Sequence, residues 1–392
     1  MKLAYFVRPH AGGTYTVFRH LSEGLAALGI EVQWVTTEEA GSLDGERLES
    51  GVVVGGQSLS EQDHAERLID ALCRNRFDGV FVNVLANRLE MNIVRYLTVD
   101  MLRVMIVHNI TPGTYAAARA LRDHVHATVA VSERCRSDLV ERHGFRGETT
   151  MTVPNALDIG AFSGVARPSK PDGQFRIIYL GRIEDSAKGV FWLADILSRV
   201  PRSATLTVAG DGPDLDGLKR RLAPHADRVQ FLGGVAPANV PELLSRHDVL
   251  VMPSRFEGLP LTLIEAMAAG CVPVVSKIEG VTDRIVEDGI TGLLFPVGDW
   301  RGAAAALSVL ESKPLLLDRL SCNARTRAAD AFDRQQMVCS YSRLLERLAA
   351  ERPAISPPLP IEEWSMPWGM RNGLRTMIPA PLKNWLRAVR ER

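Results

Sequence analysis

The stretch DVLVMPSRFEGLPLTLIEAMAAGCVPVVS (248–276) decides the fold class. It opens on a near-continuous apolar run, DVLVMPS (248–254), which fits a strand buried on both faces. A loop with Gly258 and Pro260 follows, and Pro260 fits the first turn of a helix, where its missing N–H costs nothing. Gly270 fits the C-terminal cap of that helix, and a second apolar run, VPVVS (272–276), comes next. Strand, helix and strand in this order read as one crossover of a parallel sheet. From Leu259 to Ala269 the only polar side chains are Thr262 and Glu265. A helix that is apolar all round is expected to be buried. The carboxylates of Glu257 and Glu265, eight positions apart, therefore need a reason to be there.

The same alternation extends outward in both directions. Strands are expected at 2–7, 31–36, 51–54, 79–84, 103–108, 127–132 and 150–153, and again at 175–181, 204–210, 228–233, 248–254, 272–276 and 291–296. Helical patterns such as 215–222 and 240–246 lie between most of them. Parallel sheets with helices on both faces follow. One polar segment rich in Pro and Gly, ARPSKPDGQ (166–174), interrupts the alternation and reads as a linker. The expected organisation is two doubly wound domains, 1–165 and 175–350, and an extension, 351–392. Ligands of such sheets bind at the C-terminal strand ends. With two domains facing each other, the cleft between them is the expected site.

Composition excludes several alternatives. Lys and Arg balance Asp and Glu at 46 each, so no nucleic-acid partner is expected. Cys73, Cys135, Cys271, Cys322 and Cys339 are scattered and odd in number, with no C-x-x-C pair. Neither zinc nor a disulfide framework is expected, and a reducing cytosol fits. The N-terminal MKLAYFVRPH has too short an apolar run for a signal peptide and reads as a first strand. No apolar stretch approaches the ~20 residues that a transmembrane helix needs.

Four constellations carry chemistry. First, the backbone amides of Gly258, Leu259, Pro260 (a carbonyl only), Leu261 and Thr262 stand at the open end of the 260–269 helix and suit a diphosphate. Glu265, about one turn further on, could accept two hydrogen bonds from vicinal ribose hydroxyls, with Glu257 facing the other end of the same ligand. The plainer reading pairs Glu265 with a buried Arg and leaves Glu257 solvated. Second, YLGRIEDSAKG (179–189) carries Arg182 and Lys188 off a strand end, two cations suited to a diphosphate leaving group. Glu184 and Asp185 could pair with them instead. Third, Gly12 and Gly13 permit close backbone approach at the first strand–helix turn, although this is no G-x-G-x-x-G fingerprint. Fourth, His108 ends a buried strand on the first domain, as a structural residue or a functional one. The Asp-x-Asp in GDGPDLDGL (210–218) reads as a turn and helix start, with acids favoured by the helix dipole.

Together these pieces resemble the group 1 (family 4) retaining glycosyltransferases. The resemblance rests on LGRIEDSAKG, VAGDGPDLDGL, VQFLGGV, the 248–276 stretch and GVTDRIVEDGITGLLFP, and on GGTYTVFRHLSEGLAALGIEVQWVT, His108 and AVSERCRSDLVERHG with VPNALDIGAF in the first half. It covers about residues 1–345 and implies an α/β protein of GT-B architecture, two facing Rossmann-like domains with an interdomain cleft. It implies transfer of a hexose-type sugar from a nucleotide diphosphate sugar to a hydroxyl of a glycan, lipid-linked or small-molecule acceptor, with retention and without a metal. It also implies roles. Arg182 and Lys188 resemble the diphosphate pair and Glu265 the ribose binder. Glu257 resembles the donor-sugar contact, and His108 the histidine near the transferred sugar. Gly13, beside Gly12, resembles the glycine-loop residue between phosphate and acceptor. Departures fall on the Arg182–Lys188 spacing, on PNALD, and on the first glycine loop, which lacks an acid. A nucleotide-sugar epimerase or a non-catalytic nucleotide-sugar binder would share the donor site.

Beyond Ala350 the chain turns Pro-rich, through ERPAISPPLPIEEW, and then basic, with Trp368, Met370, Leu374, Met377, Leu382, Trp385 and Leu386 interleaved. Two readings compete for this extension. Residues 364–392 contact an anionic membrane surface, giving a cytoplasmic enzyme peripheral on the inner face of the plasma membrane. Alternatively, the extension wraps back on the first domain.

Overall fold

The computed structural model describes residues 1–9, 13–38, 51–56, 59–84, 87–163, 165 and 174–371. Gly12, nearly all of the expected linker at 166–174, and residues 372–392 lie outside the described residues.

The described residues form two compact units. In the first, β1 (Lys2–Phe6), β2 (Glu31–Thr36), β3 (Gly51–Val53), β4 (Gly79–Val84), β5 (Leu102–Val107), β6 (Ala127–Ala130) and β7 (Thr150–Thr152) make one sheet. Its order is β3-β2-β1-β4-β5-β6-β7, and every pairing is parallel. In the second unit, β8 (Phe175–Leu180), β9 (Ala204–Ala209), β10 (Val229–Gly233), β11 (Val249–Met252), β12 (Val272–Lys277) and β13 (Leu293–Pro296) run parallel in the order β10-β9-β8-β11-β12-β13. All thirteen runs expected as strands are strands. They were legible because β4, β5 and β11 are buried along their whole length, so both faces demand apolar residues.

Strand order reverses between β1 and β4 in the first sheet and between β8 and β11 in the second. At such a switch point the loops leaving neighbouring strands diverge to opposite faces and leave a crevice at the carboxyl ends. The loop after β8 carries Arg182 and Lys188, and the loop after β11 carries Glu257.

Two expectations about the chain's end change. The helix Arg334–Ala350 belongs to the first unit, which comprises Met1–Ala156 and Arg334–Arg371. Its Tyr341 ring meets Phe81 edge-on at 5.7 Å, and Arg334 Nη1 pairs with Glu23 Oε2 at 2.8 Å. Its apolar face is satisfied by the first sheet, so the second domain does not extend to 350. Residues 351–371 then strap the same unit. Ser356 N–H donates to the Asp123 carbonyl at 2.7 Å and Leu359 N–H to that of Arg95 at 2.8 Å. The Trp364 ring packs 4.6 Å from Tyr96, and Met370 is buried in the core. Trp364 and Met370 are thus spent on packing, which corrects their assignment to a membrane face; Trp368 remains 87% exposed.

Candidate functional site

In the second unit the loop after β11 is built around a buried carboxylate. Glu257 Oε1 accepts from Lys188 Nζ at 2.6 Å and from Ser254 Oγ at 2.6 Å. Glu257 is 6% exposed and Ser254 fully buried. Glu257 is therefore no solvated loop residue. Lys188 bonds to Glu257 rather than to the nearby acids. The two loops are fastened together by Arg255, whose guanidinium stacks 3.7 Å over Trp192 and donates to the Asp185 carbonyl and carboxylate at 3.1 and 3.3 Å. Gly189 makes this approach possible. It caps the short helix Asp185–Lys188 at φ +61, and a Cβ there would lie 2.3 Å from the Pro253 carbonyl.

Arg182 is more exposed, with its side chain 67% accessible and Nε 3.4 Å from Glu184 Oε2. An exposed pair at this separation contributes little and leaves the guanidinium able to turn elsewhere. Asp214, of the Asp-x-Asp, accepts the Asp185 N–H at 2.7 Å, and Asp216 lies in the first turn of its helix, as a turn and helix start require. Among the described residues no group of acids, His or Cys is arranged to hold a metal.

The helix Leu261–Ala269 starts one residue later than expected, with Pro260 at the N-cap, and ends at Gly270 in the left-handed conformation (φ +74). The amides of Gly258, Leu259, Leu261 and Thr262 bond to no described backbone carbonyl. They add to the positive end of the helix dipole. Glu265, on the next turn, makes no hydrogen bond or ion pair with a described residue, so no buried Arg pairs with it. Burial pushes its carboxyl up to about 7. With no bonding partner among the described residues, its carboxyl oxygens are left available as acceptors.

In the first unit Gly13 opens the helix Gly13–Ala26 beyond β1. His108 follows β5, and its Nε2 lies 2.6 Å from Asn83 Oδ1 on β4. The Asn83 amide in turn donates Nδ2–H to the Phe6 carbonyl on β1 at 2.8 Å. Burial lowers His108 to about 4, so the ring is neutral at pH 7. Glu90 Oε1 accepts from Thr37 N–H at 2.6 Å and from the Thr36 and Thr37 hydroxyls at 3.1 Å, all at the end of β2. Its burial, opposed by these bonds, leaves the carboxyl up at about 7.

Sequence reasoning missed Ser254, Asn83 and Glu90. The signal for Asn83 was present: it is the only polar side chain in GVFVNV (79–84). A lone amide inside a strand buried on both faces must find partners across the sheet.

Comparison with known proteins agrees with this layout. The family described as Glycosyltransferase Family 4 matches residues 11–160, and that described as Glycosyl transferases group 1 matches residues 174–312. The chain is 28% identical over 288 residues to glycogen synthase of Mycobacterium tuberculosis, covering 68% of each. It is 32% identical over 209 residues to the phosphatidyl-myo-inositol mannosyltransferase of the same organism, covering 50% of this chain and about half (53%) of that protein. Anabaena HepE in complex with UDP and glucose has a TM-score of 0.74 at 18% identity, over 89% of this chain and 100% of that one. Sucrose-phosphate synthase from Thermosynechococcus elongatus gives 0.74 at 18%, over 89% and 99%. At such identities these two likenesses speak for the fold alone, which is GT-B. The two family matches fall on the two sheet-bearing halves and between them span most of the chain, which belongs to the group 1 / family 4 glycosyltransferases.

Proposed function

We propose that this glycosyltransferase moves a hexose-type sugar from a nucleotide diphosphate sugar to a hydroxyl acceptor, with retention and without a metal. The carrying observation is the set of groups at the second sheet's switch point: helix amides and a Glu265 carboxyl that have no bonding partner among the described residues, and Lys188 held on buried Glu257. In this reading the amides, Lys188 and Arg182 hold the diphosphate and stabilise the charge it gains as the glycosidic bond breaks. Glu265 accepts from the ribose hydroxyls and Glu257 from the donor sugar. His108 lies near the transferred sugar, and Gly13 with Gly12 faces phosphate and acceptor. The acceptor hydroxyl's oxygen forms the new bond, and its proton passes to the departing phosphate oxygen, so no separate protein base is needed.

Thermal unfolding with UDP, GDP, ADP and TDP sugars tests the donor site. A bound donor at 100-fold its Kd stabilises by about 2.7 kcal/mol. UDP-glucose leads the screen because HepE has also been solved with it. No stabilisation by any nucleotide sugar would sink the reading. Mass spectrometry of donor with candidate acceptors then separates transfer from an isomerised sugar, which would indicate an epimerase, and from no product, which would indicate a binder. Activity unchanged in chelator and an anomeric configuration retained by NMR are the expected results; loss or inversion overturns those points.

The basic sequence beyond Arg371 supports one further part of this reading, contact with an anionic membrane that carries a lipid-linked acceptor. The chain truncated after Arg371 should lose co-sedimentation with anionic vesicles shown by the full chain. Equal binding, or none by either, removes the membrane.

A further inference from the structure

Asn83 occupies the first sheet's switch point and bonds in two directions at once. On one side its Nδ2 donates to the Phe6 carbonyl at 2.8 Å; on the other its Oδ1 lies 2.6 Å from His108 Nε2. The backbone carbonyl fixes which way the amide points, because a flipped amide would set two oxygens against each other across β1 and β4. With Oδ1 turned to the ring, Nε2 must carry the hydrogen. The other nitrogen, Nδ1, then holds a bare lone pair, and no described residue bonds to it.

We infer that Asn83 is a positioning residue that locks His108 in the Nε2–H tautomer, so that Nδ1 accepts a hydrogen bond from a hydroxyl of the transferred sugar. The part concerning the sugar rests on the proposed function; the part concerning the tautomer does not. The opposite tautomer and the imidazolium would each present an Nδ1–H to the sugar, since Nε2 faces Asn83 in every form. In either form the ring could only donate to a hydroxyl oxygen, whereas the bare Nδ1 accepts the hydroxyl's hydrogen and leaves that oxygen free for other donors. The surroundings keep the ring neutral by the same logic. No charged side chain among the described residues shifts His108, which burial alone lowers. From β1, the buried Tyr5 phenol stays protonated, because burial pushes its pKa up.

The test has two independent readouts. Protein labelled with ¹⁵N-histidine, with His108 assigned from the spectrum of His108→Gln, reports the tautomer directly. At pH 7.5 the wild type should show Nε2 protonated and Nδ1 bare. In Asn83→Asp the carboxylate should hold the imidazolium, raising the His108 pKa by about one to three units. An Nδ1–H ring or an imidazolium in the wild type overturns the tautomer assignment, whether or not the protein turns over any donor. The second readout is turnover of whichever nucleotide sugar the thermal screen selects, followed as a function of pH. Asn83→Ala should reduce kcat/KM about threefold to tenfold. Asn83→Asp should move the acid limb of the profile up in step with the NMR titration. An acid limb that does not move, with both variants merely lower in Tm, would make Asn83 a structural residue and overturn the link to the sugar. Absence of turnover in the wild type would count against the proposed function while leaving the NMR result to decide the tautomer.

Discussion

Lys188 and Glu257 lie 2.6 Å apart, with side chains 28% and 7% accessible. Removing the lysine strands the carboxylate with Ser254 as its only bonded partner among the described residues. Lys188→Ala is expected to cost about 1–3 kcal/mol of stability and to weaken nucleotide diphosphate binding. The double variant Lys188→Met/Glu257→Gln should recover stability without recovering affinity, because the buried charge is gone but the proposed phosphate contact is too. Thermal unfolding and calorimetry separate the two effects. Glu265 makes a prediction about pH. Its ordinary value of 4.5 applies when unfolded, against about 7 when folded. Between those values the native state holds a proton that the unfolded chain releases, so stability falls as pH rises, by up to ~3 kcal/mol. Glu265→Gln removes that fall, and its ligand-free Tm should exceed that of the wild type at pH 8; the similar fall from Glu90 persists in both. Nucleotide affinity should move the other way. It weakens in the wild type as pH drops below about 7 and stays low and flat in the variant. A variant with wild-type affinity would take the ribose away from Glu265.

At the scale of elements, the site depends on two loops approaching within van der Waals distance. Gly189 permits it, and Gly189→Ala combines a left-handed backbone with a Cβ overlapping the Pro253 carbonyl. It should cost about 1–3 kcal/mol and weaken nucleotide binding by displacing Lys188. A variant with unaltered Tm would mean that the two loops are not fastened as described. The sequence made the strands and the 261–269 helix legible because apolar runs, Pro260 and Gly270 are local signals. The Lys188–Glu257 and Asn83–His108 pairs were not legible as pairs, since each joins loops or strands far apart in the chain. Glu184 and Asp185 were nearer in sequence to Lys188, and only the β8–β11 pairing put Glu257 closer in space.

For the whole molecule, the strap 351–371 and the helix before it decide what can be removed. Truncation after Ala350 takes Met370 out of the first unit's core and should destabilise it, and Met370→Ala alone should cost about 2–5 kcal/mol. By itself the sequence determined the two parallel α/β halves, the order of their strands along the chain and the residue types at the ends of β8 and β11. These follow from periodicity, turn residues and charge, all properties of short segments. Only the tertiary structure decided that the helix Arg334–Ala350 covers the first sheet, that Trp364 and Met370 serve packing, and that His108 rests on Asn83. An amphipathic face records that it must be covered, not by what; a polar side chain in a buried strand records that it needs a partner, not which. Those choices are made by strand order and packing between distant segments, which no local pattern contains.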